Sequence, residues 1–521
     1  MEPHPPLSRS ETPSESRPSS HGPIAIGFAF VVATAGYAVL VQQIAGTRGF
    51  PLDDGFIHLQ FARNLVETGT MAFNAGTRSS GDTAPGYVFV LAAMGSLVRD
   101  WIAASYAVGG LCTLATALAA GALVRRATGD TSRAACAGVL CLVSGPAIPL
   151  AYSGMEAPLY ACLFMLGLLA YSSPRLRPAA SLAWAAAVWV RPEMLLLAVL
   201  VLLERLAARS VSRELLAHAA VWIAVVGLWL AFHHQLDGHY VPSTFAAKAV
   251  AGNGGMAPWF FLGVPGSLAR GSMGGLALAL TLWPVLALVS AFALLLPTCL
   301  PLTLRLGGAL RDGWRSDATE APALRIAALS LVAFPLAHAL VDPLRAWFWY
   351  QFERYYAHVI PALIVVALAS RSTALRPRTM VAFAAPNAIA WSVLAAFGVR
   401  NIDELQTDMA RWLLRERPSA SLVATNDIGA LGFVTRRPIL DTVGLVEPEL
   451  VRDLLRGGTV LGYLARKRPD VVIIFPNWYP DLASHPAFRE IHRESVDRAV
   501  VSGGGALVAY EVDWSLVPTA P

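Results

Sequence analysis

The chain has 521 residues, 55% of them hydrophobic and only 14% charged, with a formal net charge of +5 and a mean hydropathy of +0.53. That balance excludes an ordinary soluble domain and fits a polytopic membrane protein. The basic residues gather in short loops between apolar runs, as the positive-inside bias produces, so the positive balance calls for no nucleic-acid partner.

Residues 1–23 are rich in Pro and Ser, lack a hydrophobic face and are expected to form a disordered cytoplasmic tail. The apolar run 24–46 is long enough to span a bilayer and lacks a small-residue cleavage site, so it reads as a retained anchor. Further apolar runs cover 84–98, 101–123, 134–152, 157–173, 179–203, 216–236, 274–297, 326–342, 355–370 and 380–398. Five groups of arginines orient them: Arg125, Arg126 and Arg133; Arg175 and Arg177; Arg205, Arg209 and Arg213; Arg305, Arg311, Arg315 and Arg325; and Arg371, Arg376 and Arg378. The charge bias puts all of these in the cytoplasm.

With the N-terminus on that side too, parity closes only if two segments fail to cross. One is 84–98, short for a span. The other is 179–203, where the Arg191-Pro192 pair predicts two half-helices meeting at a kink, since Pro cannot continue the helical hydrogen bonding. Broken helices are tolerated in a bilayer where they line a cavity, which makes Arg191 a candidate cavity residue. The expected architecture is a transmembrane domain over 24–398, with about nine to eleven helices, broken and short ones included. Cys112, Cys136, Cys141, Cys162 and Cys299 lie in or beside apolar runs without metal-binding spacing and read as small buried hydrophobes.

Between the first two runs lies an outer loop over 47–83, containing "LDDGFIHLQFARNLVETG". Ile57, Phe61 and Leu65 recur at helical spacing, with His58, Gln60, Arg63, Asn64 and Glu67 elsewhere around the turn. The pattern predicts an amphipathic helix at the outer interface. Asp53 and Asp54 precede it, and adjacent side chains point apart, so the two acids are expected to do different work. Asp54 is placed to cap the helix. On the same side fall Glu156 in "YSGMEAP", a candidate cap for the next helix, Lys248 in "VPSTFAAKA" and Arg354 in "FERYYAH". Lys248 and Arg354 also suit snorkelling to headgroups.

After residue 398 the pattern changes. "SASLVATND", "RPILDTVGL", "PDVVIIF" and "GALVAYEVDW" read as strands, and "EPELVRDLLRGG" and "VLGYLARKR" as helices, so 399–521 is expected to form a small extracytoplasmic α/β domain.

Outward acids beside cations at a lipid-exposed cavity suit sugar transfer from a polyprenyl phosphate: a base takes the acceptor proton and cations hold the departing phosphate. The ordered motifs "LDDGFIHLQFARNLVETGTMAFNAGTRSSGDTAPGY", "SGMEAPLY", "VRPEMLLL", "GHYVPSTFAAKA", "ERYYAHVIP" and "TNDIGALGFVTRRPILDTVGLVEPEL" resemble the GT-C superfamily of integral-membrane glycosyltransferases. Within it they are similar to mycobacterial terminal arabinofuranosyltransferases. The resemblance implies inverting transfer, with arabinofuranose as one sugar, to an extracytoplasmic glycan, lipid or protein in the bacterial inner membrane. Asp53 and Asp54 match the family's acidic pair, whose first member is taken as the base, while Glu156, Arg191, Lys248 and Arg354 match further family positions. His58 and Arg63 join them as candidate substrate contacts. No cofactor is required, and a divalent cation is an option the superfamily leaves open. Gly55, Phe56 and Gln60, and "GDTAPGY" for the usual Gly-Tyr-Thr-Ser-Pro-Leu-Trp, depart from the pattern where the sugar is read. The competing expectations are a transporter or lipid flippase and an inactive GT-C scaffold that binds a partner.

Overall fold

The structure, a computed structural model, describes residues 21–207, 213–250, 319–341, 354–369 and 377–517. Residues 1–20, the apolar run 274–297, Cys299, Arg209, Arg305, Arg311, Arg315, Arg371, Arg376 and the aromatic stretch 348–353 lie outside them.

Apolar helices make up the first part. Helix α1 (His21–Ile44) leads to α2 (Asp54–Thr68), α3 (Pro85–Val98) and the long α4 (Trp101–Thr128). His21, Gly22 and Pro23 are already helical, which shortens the expected tail. Next come α5 (Thr131–Val143), α6 (Ala147–Ala151), α7 (Ala157–Tyr171) and α8 (Arg177–Val188). The run 134–152 is not one helix: Ser144, Gly145 and Pro146 interrupt it, with Gly145 at φ +59. After α8 the chain breaks at Arg191, makes a short turn over Pro192–Leu195 and resumes as α9 (Leu196–Ala207). Then follow α10 (Arg213–Asp237), α11 (Ser243–Val250), α12 (Ala321–Val341), α13 (Val359–Ala369) and α14 (Pro377–Ile402).

Among the described residues, four helical segments are long and apolar enough to cross a membrane: Gly22–Ile44, Trp101–Thr128, Glu214–Asp237 and Arg378–Glu416. The last of these runs past the expected boundary at 398 without a break. It passes through a π-helical turn (Asp403–Thr407) into α15 (Asp408–Glu416), so one continuous rod enters the α/β unit.

That unit contains β1 (Val423–Thr425), α16 (Gly429–Thr435), β2 (Ile439–Asp441), α17 (Pro448–Leu455), α18 (Val460–Lys467), β3 (Val471–Ile474), α19 (Pro480–Ala483), β4 (Phe488–Ser495) and β5 (Ala506–Val512). The sheet order is β2-β1-β3-β5-β4, parallel among the first three and antiparallel thereafter. The central strands β1 and β3 are wholly buried and, apart from Thr425 at the end of β1, apolar. Strand β4, "FREIHRES", lies at the edge, where charged side chains block pairing with another chain.

Helix α2 departs from the expected surface position. His58, Gln60, Arg63 and Asn64 are all buried along with Phe56, Leu59 and Phe61. The reason is that α16 covers it: the Phe56 and Phe433 rings lie 5.7 Å apart. The buried polar groups find partners, with the Gln60 and Asn64 amides donating to the Phe73 carbonyl at 2.9 and 2.7 Å.

Close helix approach sets the turn before α7. A Cβ on Gly109 of α4 would stand 1.9 Å from the Ala151 carbonyl oxygen at the end of α6, whereas one on Gly227 of α10 would meet nothing within 4 Å. Gly109→Ala is therefore expected to cost about 1–3 kcal/mol by overpacking, and Gly227→Ala to cost none. Thermal midpoints of the two variants in one detergent check this.

Candidate active site

Three interruptions of the helical bundle meet the start of α2. They are the Ser153–Glu156 turn before α7, the Arg191 break after α8, and the turn holding Arg354 and Tyr355 before α13. Helix ends leave backbone groups unpaired, and polar side chains collect around them.

Asp53 takes the N-cap position of α2, and Asp54 is the first helical residue, so Asp54 is not the cap. Nor does the Asp53 carboxylate bond its own helix. It accepts instead from the Gly429 N–H at 2.6 Å and the Ala430 N–H at 2.7 Å, at the start of α16. A negative group facing two such amides is well stabilised. Burial raises the Asp53 carboxyl, the Ala430 and Gly429 amides lower it, and the neighbouring Asp54 charge raises it, leaving it at about 6.

Asp54 turns the other way. Arg354 Nη1 donates to Asp54 Oδ2 at 2.9 Å, with the Arg354 side chain 6% exposed and that of Asp54 40%. Arg354 is thus a buried partner of an open carboxylate, which replaces the expectation that it snorkels.

Glu156 is buried and makes no cap bond to α7, so its expected capping role is not what the geometry provides. Arg191 Nη1 donates to one of its oxygens at 2.8 Å, and His58 Nε2 lies 3.2 Å from the other. His58 Nδ1 lies 2.7 Å from Asp82 Oδ2, while Asp82 Oδ1 accepts from the Ala84 N–H at 2.7 Å before α3. Burial opposes a charge on His58, but Asp82 and Glu156 outweigh it and raise the imidazole to about 10. Both ring nitrogens therefore carry protons and donate.

Arg191 also donates through Nε to Glu193 Oε1 at 2.8 Å. Its guanidinium lies 4.5 Å from the centre of the Tyr355 ring, and that of Arg354 lies 5.2 Å from the same ring. One aromatic face thus brings two cations together beside Asp54 and Glu156.

The structure therefore gathers Asp54, Glu156, Arg191 and Arg354 at one place, with His58 clamped between two acids rather than turned to a substrate. Arg63 lies apart from them, donating to the Phe433 carbonyl at 2.8 Å with its guanidinium 4.4 Å from the Phe433 ring. Lys248 falls on α11, and its side chain is outside the described residues. Helix α11 is tied to the same region, Thr244 Oγ1 donating to the Gly81 carbonyl at 2.6 Å. Asp82, Glu193 and Tyr355 belong to the site without having been singled out from the sequence. The signal for Glu193 was its position two residues after Arg191; Asp82 and Tyr355 carried none beyond neighbouring a matched motif.

The Asp53 oxygens face backbone amides and the Glu156 oxygens face Arg191 and His58, and among the described residues no three His, Cys, Asp or Glu side chains form a ligand group.

A family model described as a domain of unknown function, DUF8728, matches residues 400–519. No curated protein matches the chain. The chain is similar to the structure of ArnT from Cupriavidus metallidurans bound to undecaprenyl phosphate, at 16% identity and a TM-score of 0.57, over 95% of this chain and 99% of that one. It is also similar to the oligosaccharyltransferase of Archaeoglobus fulgidus in the apo form, at 12% identity and a TM-score of 0.55, over 86% and 69% of the two chains. Archaeoglobus fulgidus AglB in complex with an inhibitory peptide and a dolichol-phosphate matches at 13% identity and a TM-score of 0.51, over 88% and 70%. At these identities the likeness is one of fold, and the chain has the GT-C fold of a polytopic helical membrane protein.

The His58 clamp carries a pH signature. Its imidazole is raised from an ordinary 6.5 to about 10, so its contribution is complete below 6.5 and is lost as pH rises through 10. Stability is expected to fall between about pH 7 and pH 10, by up to about 1.4 kcal/mol per pH unit at the steepest, and the thermal midpoint with it. His58→Gln is expected to lower the midpoint at pH 7 and flatten this slope. Midpoints measured across that range in wild type and variant check it.

Proposed function

We propose that this protein is an inverting glycosyltransferase that moves a sugar from a polyprenyl phosphate to a hydroxyl on an extracytoplasmic glycan, lipid or protein. The observation that carries the reading is the open Asp54 carboxylate paired with the buried Arg354, with Arg191 across the same Tyr355 ring. The fold shared with ArnT, whose structure holds undecaprenyl phosphate, supports a lipid-phosphate donor.

Asp54 takes the proton from the acceptor hydroxyl as its oxygen attacks the anomeric carbon. The bond from that carbon to the phosphate oxygen breaks, its electron pair leaves with the phosphate, and the configuration inverts. Arg354 and Arg191 bind the phosphate and stabilise the charge it gains. A phosphate departs without protonation, so one base is enough, unlike the paired acids of a glycoside hydrolase. Asp53 holds the start of α2 against α16 and keeps Asp54 in place. The base is assigned to the second acid of the pair because the first is buried against backbone amides. The basic-loop bias supports a site on the outer face, and the sequence resemblance supports a bacterial inner membrane. Arabinofuranose is the sugar to test first, on the strength of the sequence resemblance.

Protein in lipid nanodiscs, given a panel of labelled polyprenyl-phosphate sugars and envelope glycans, is expected to form a new glycosidic bond. Asp54→Asn should lower kcat by about 10²–10⁴ with folding intact, the range for loss of a general base. Arg354→Gln should weaken both donor binding and kcat. Lipid movement across vesicles with no new bond formed would instead identify a transporter.

A further inference from the structure

The stretch "GDTAPGY", where the chain departs from the family pattern, turns inward. Gly81, Asp82, Ala84, Pro85 and Tyr87 are buried, and the Tyr87 hydroxyl lies 3.2 Å from that of Ser105. Asp82 has both carboxylate oxygens engaged, one by His58 and the other by the Ala84 N–H. Such a segment is poorly placed to read a sugar and well placed to hold neighbouring elements together.

Ser80, just before it, is the joint. Its N–H donates to Asp237 Oδ2 at 3.3 Å, its hydroxyl donates to the same oxygen, and the hydroxyl oxygen accepts from the Ser243 N–H at 3.0 Å. One side chain thus ties the last residue of α10 to the first of α11. Asp237 stands where the carbonyls of a helix end disfavour negative charge, so donors must offset its placement. Ser80 supplies two of them, and the His239 N–H, 3.2 Å from Oδ1, supplies another.

Gly81 brings in the α/β unit. A Cβ there would stand 2.5 Å from the Leu445 carbonyl oxygen. The Gly81 carbonyl accepts from Thr244 Oγ1 at 2.6 Å, and Ser243 Oγ donates to the Leu445 carbonyl at 3.0 Å. Leu445 lies in a loop shaped by Asp441, which accepts from the Val443 and Val446 N–H groups at 2.8 and 3.0 Å. The first two side chains of α11 are therefore bonded, one to the α/β unit and the other to the segment before α3.

We propose that Ser80, together with Asp237, is a positioning residue for the transfer site: it holds α11 in fixed register with the chain of contacts that runs from Asp82 through His58 and Glu156 to Arg191. Helix α11 carries Lys248 one turn past Thr244, so the joint sets a second cation-bearing element in the frame that holds Arg191. Loss of the joint loosens the grip on a phosphate and leaves the choice of sugar untouched. The inference rests on the glycosyltransferase reading for its effect on transfer, but not for its effect on helix order.

The test uses full-length protein in nanodiscs. Hydrogen exchange of residues 243–250, the Kd of undecaprenyl phosphate and the donor KM for several polyprenyl-phosphate sugars are measured. Ser80→Ala and Asp237→Ala should each speed exchange in α11 and weaken undecaprenyl phosphate binding by about tenfold, the effect of one lost hydrogen bond to a charged group. Donor KM should rise by the same factor for every sugar, with the ranking of sugars unchanged. The double variant should be no worse than either single one, since both break the same joint. Asp237→Asn, which keeps an acceptor oxygen for Ser80, should stay near wild type. Wild-type exchange or wild-type affinity in Ser80→Ala and Asp237→Ala would overturn the proposal, as would a changed ranking of sugars, which would make the segment a reader of the sugar. If wild type transfers no sugar while exchange and affinity move as stated, the glycosyltransferase reading fails and the joint stands.

Discussion

The arrangement depends on one carboxylate meeting backbone amides far along the chain. Asp53 accepts from Gly429 and Ala430, 376 and 377 residues later. Without that contact α2 would keep its helical form but lose its roof, and its buried polar residues would face water or lipid. With it, the two neighbouring acids part, one bound in the junction and the other paired with Arg354. The resulting division of labour follows from backbone geometry, since consecutive residues at a helix start cannot aim at one point.

Around Glu156, buried charge is held by pairing. Glu156 between Arg191 and His58, and His58 between Glu156 and Asp82, form a chain in which each charge has an opposite neighbour. Removing one member of such a buried pair commonly costs about 3–5 kcal/mol, because the other is left uncompensated. The chain fixes the turn before α7, the break after α8 and the loop before α3 relative to one another. Arg354 differs in that its partner is open to solvent.

Much of the frame could be read from the residues. Long apolar runs gave α1, α4 and α10 because a bilayer-length helix needs little else, and the Arg191-Pro192 break followed from the missing N–H of Pro192. Strands β1, β2, β3 and β5 declared themselves by apolar runs, whereas β4 stayed hidden because an edge strand carries polar side chains. The site was legible in part. Helix ends with a lone acid or arginine pointed to Asp54, Glu156, Arg191 and Arg354, but no local pattern could show that Asp53 is bound by α16. The partners of His58 lie 24 and 98 residues away, so a histidine on an amphipathic helix looked like a surface group when it is a buried clamp.

An experimental structure of the protein in nanodiscs with a polyprenyl phosphate bound is the most direct measurement. The phosphate is expected within hydrogen-bond distance of Arg354 and Arg191, with an open carboxylate of Asp54 beside it and Asp53 still on the Gly429 and Ala430 amides. A phosphate held elsewhere, or an Asp53 side chain released from those amides with Asp54 turned away from the phosphate, would contradict this reading.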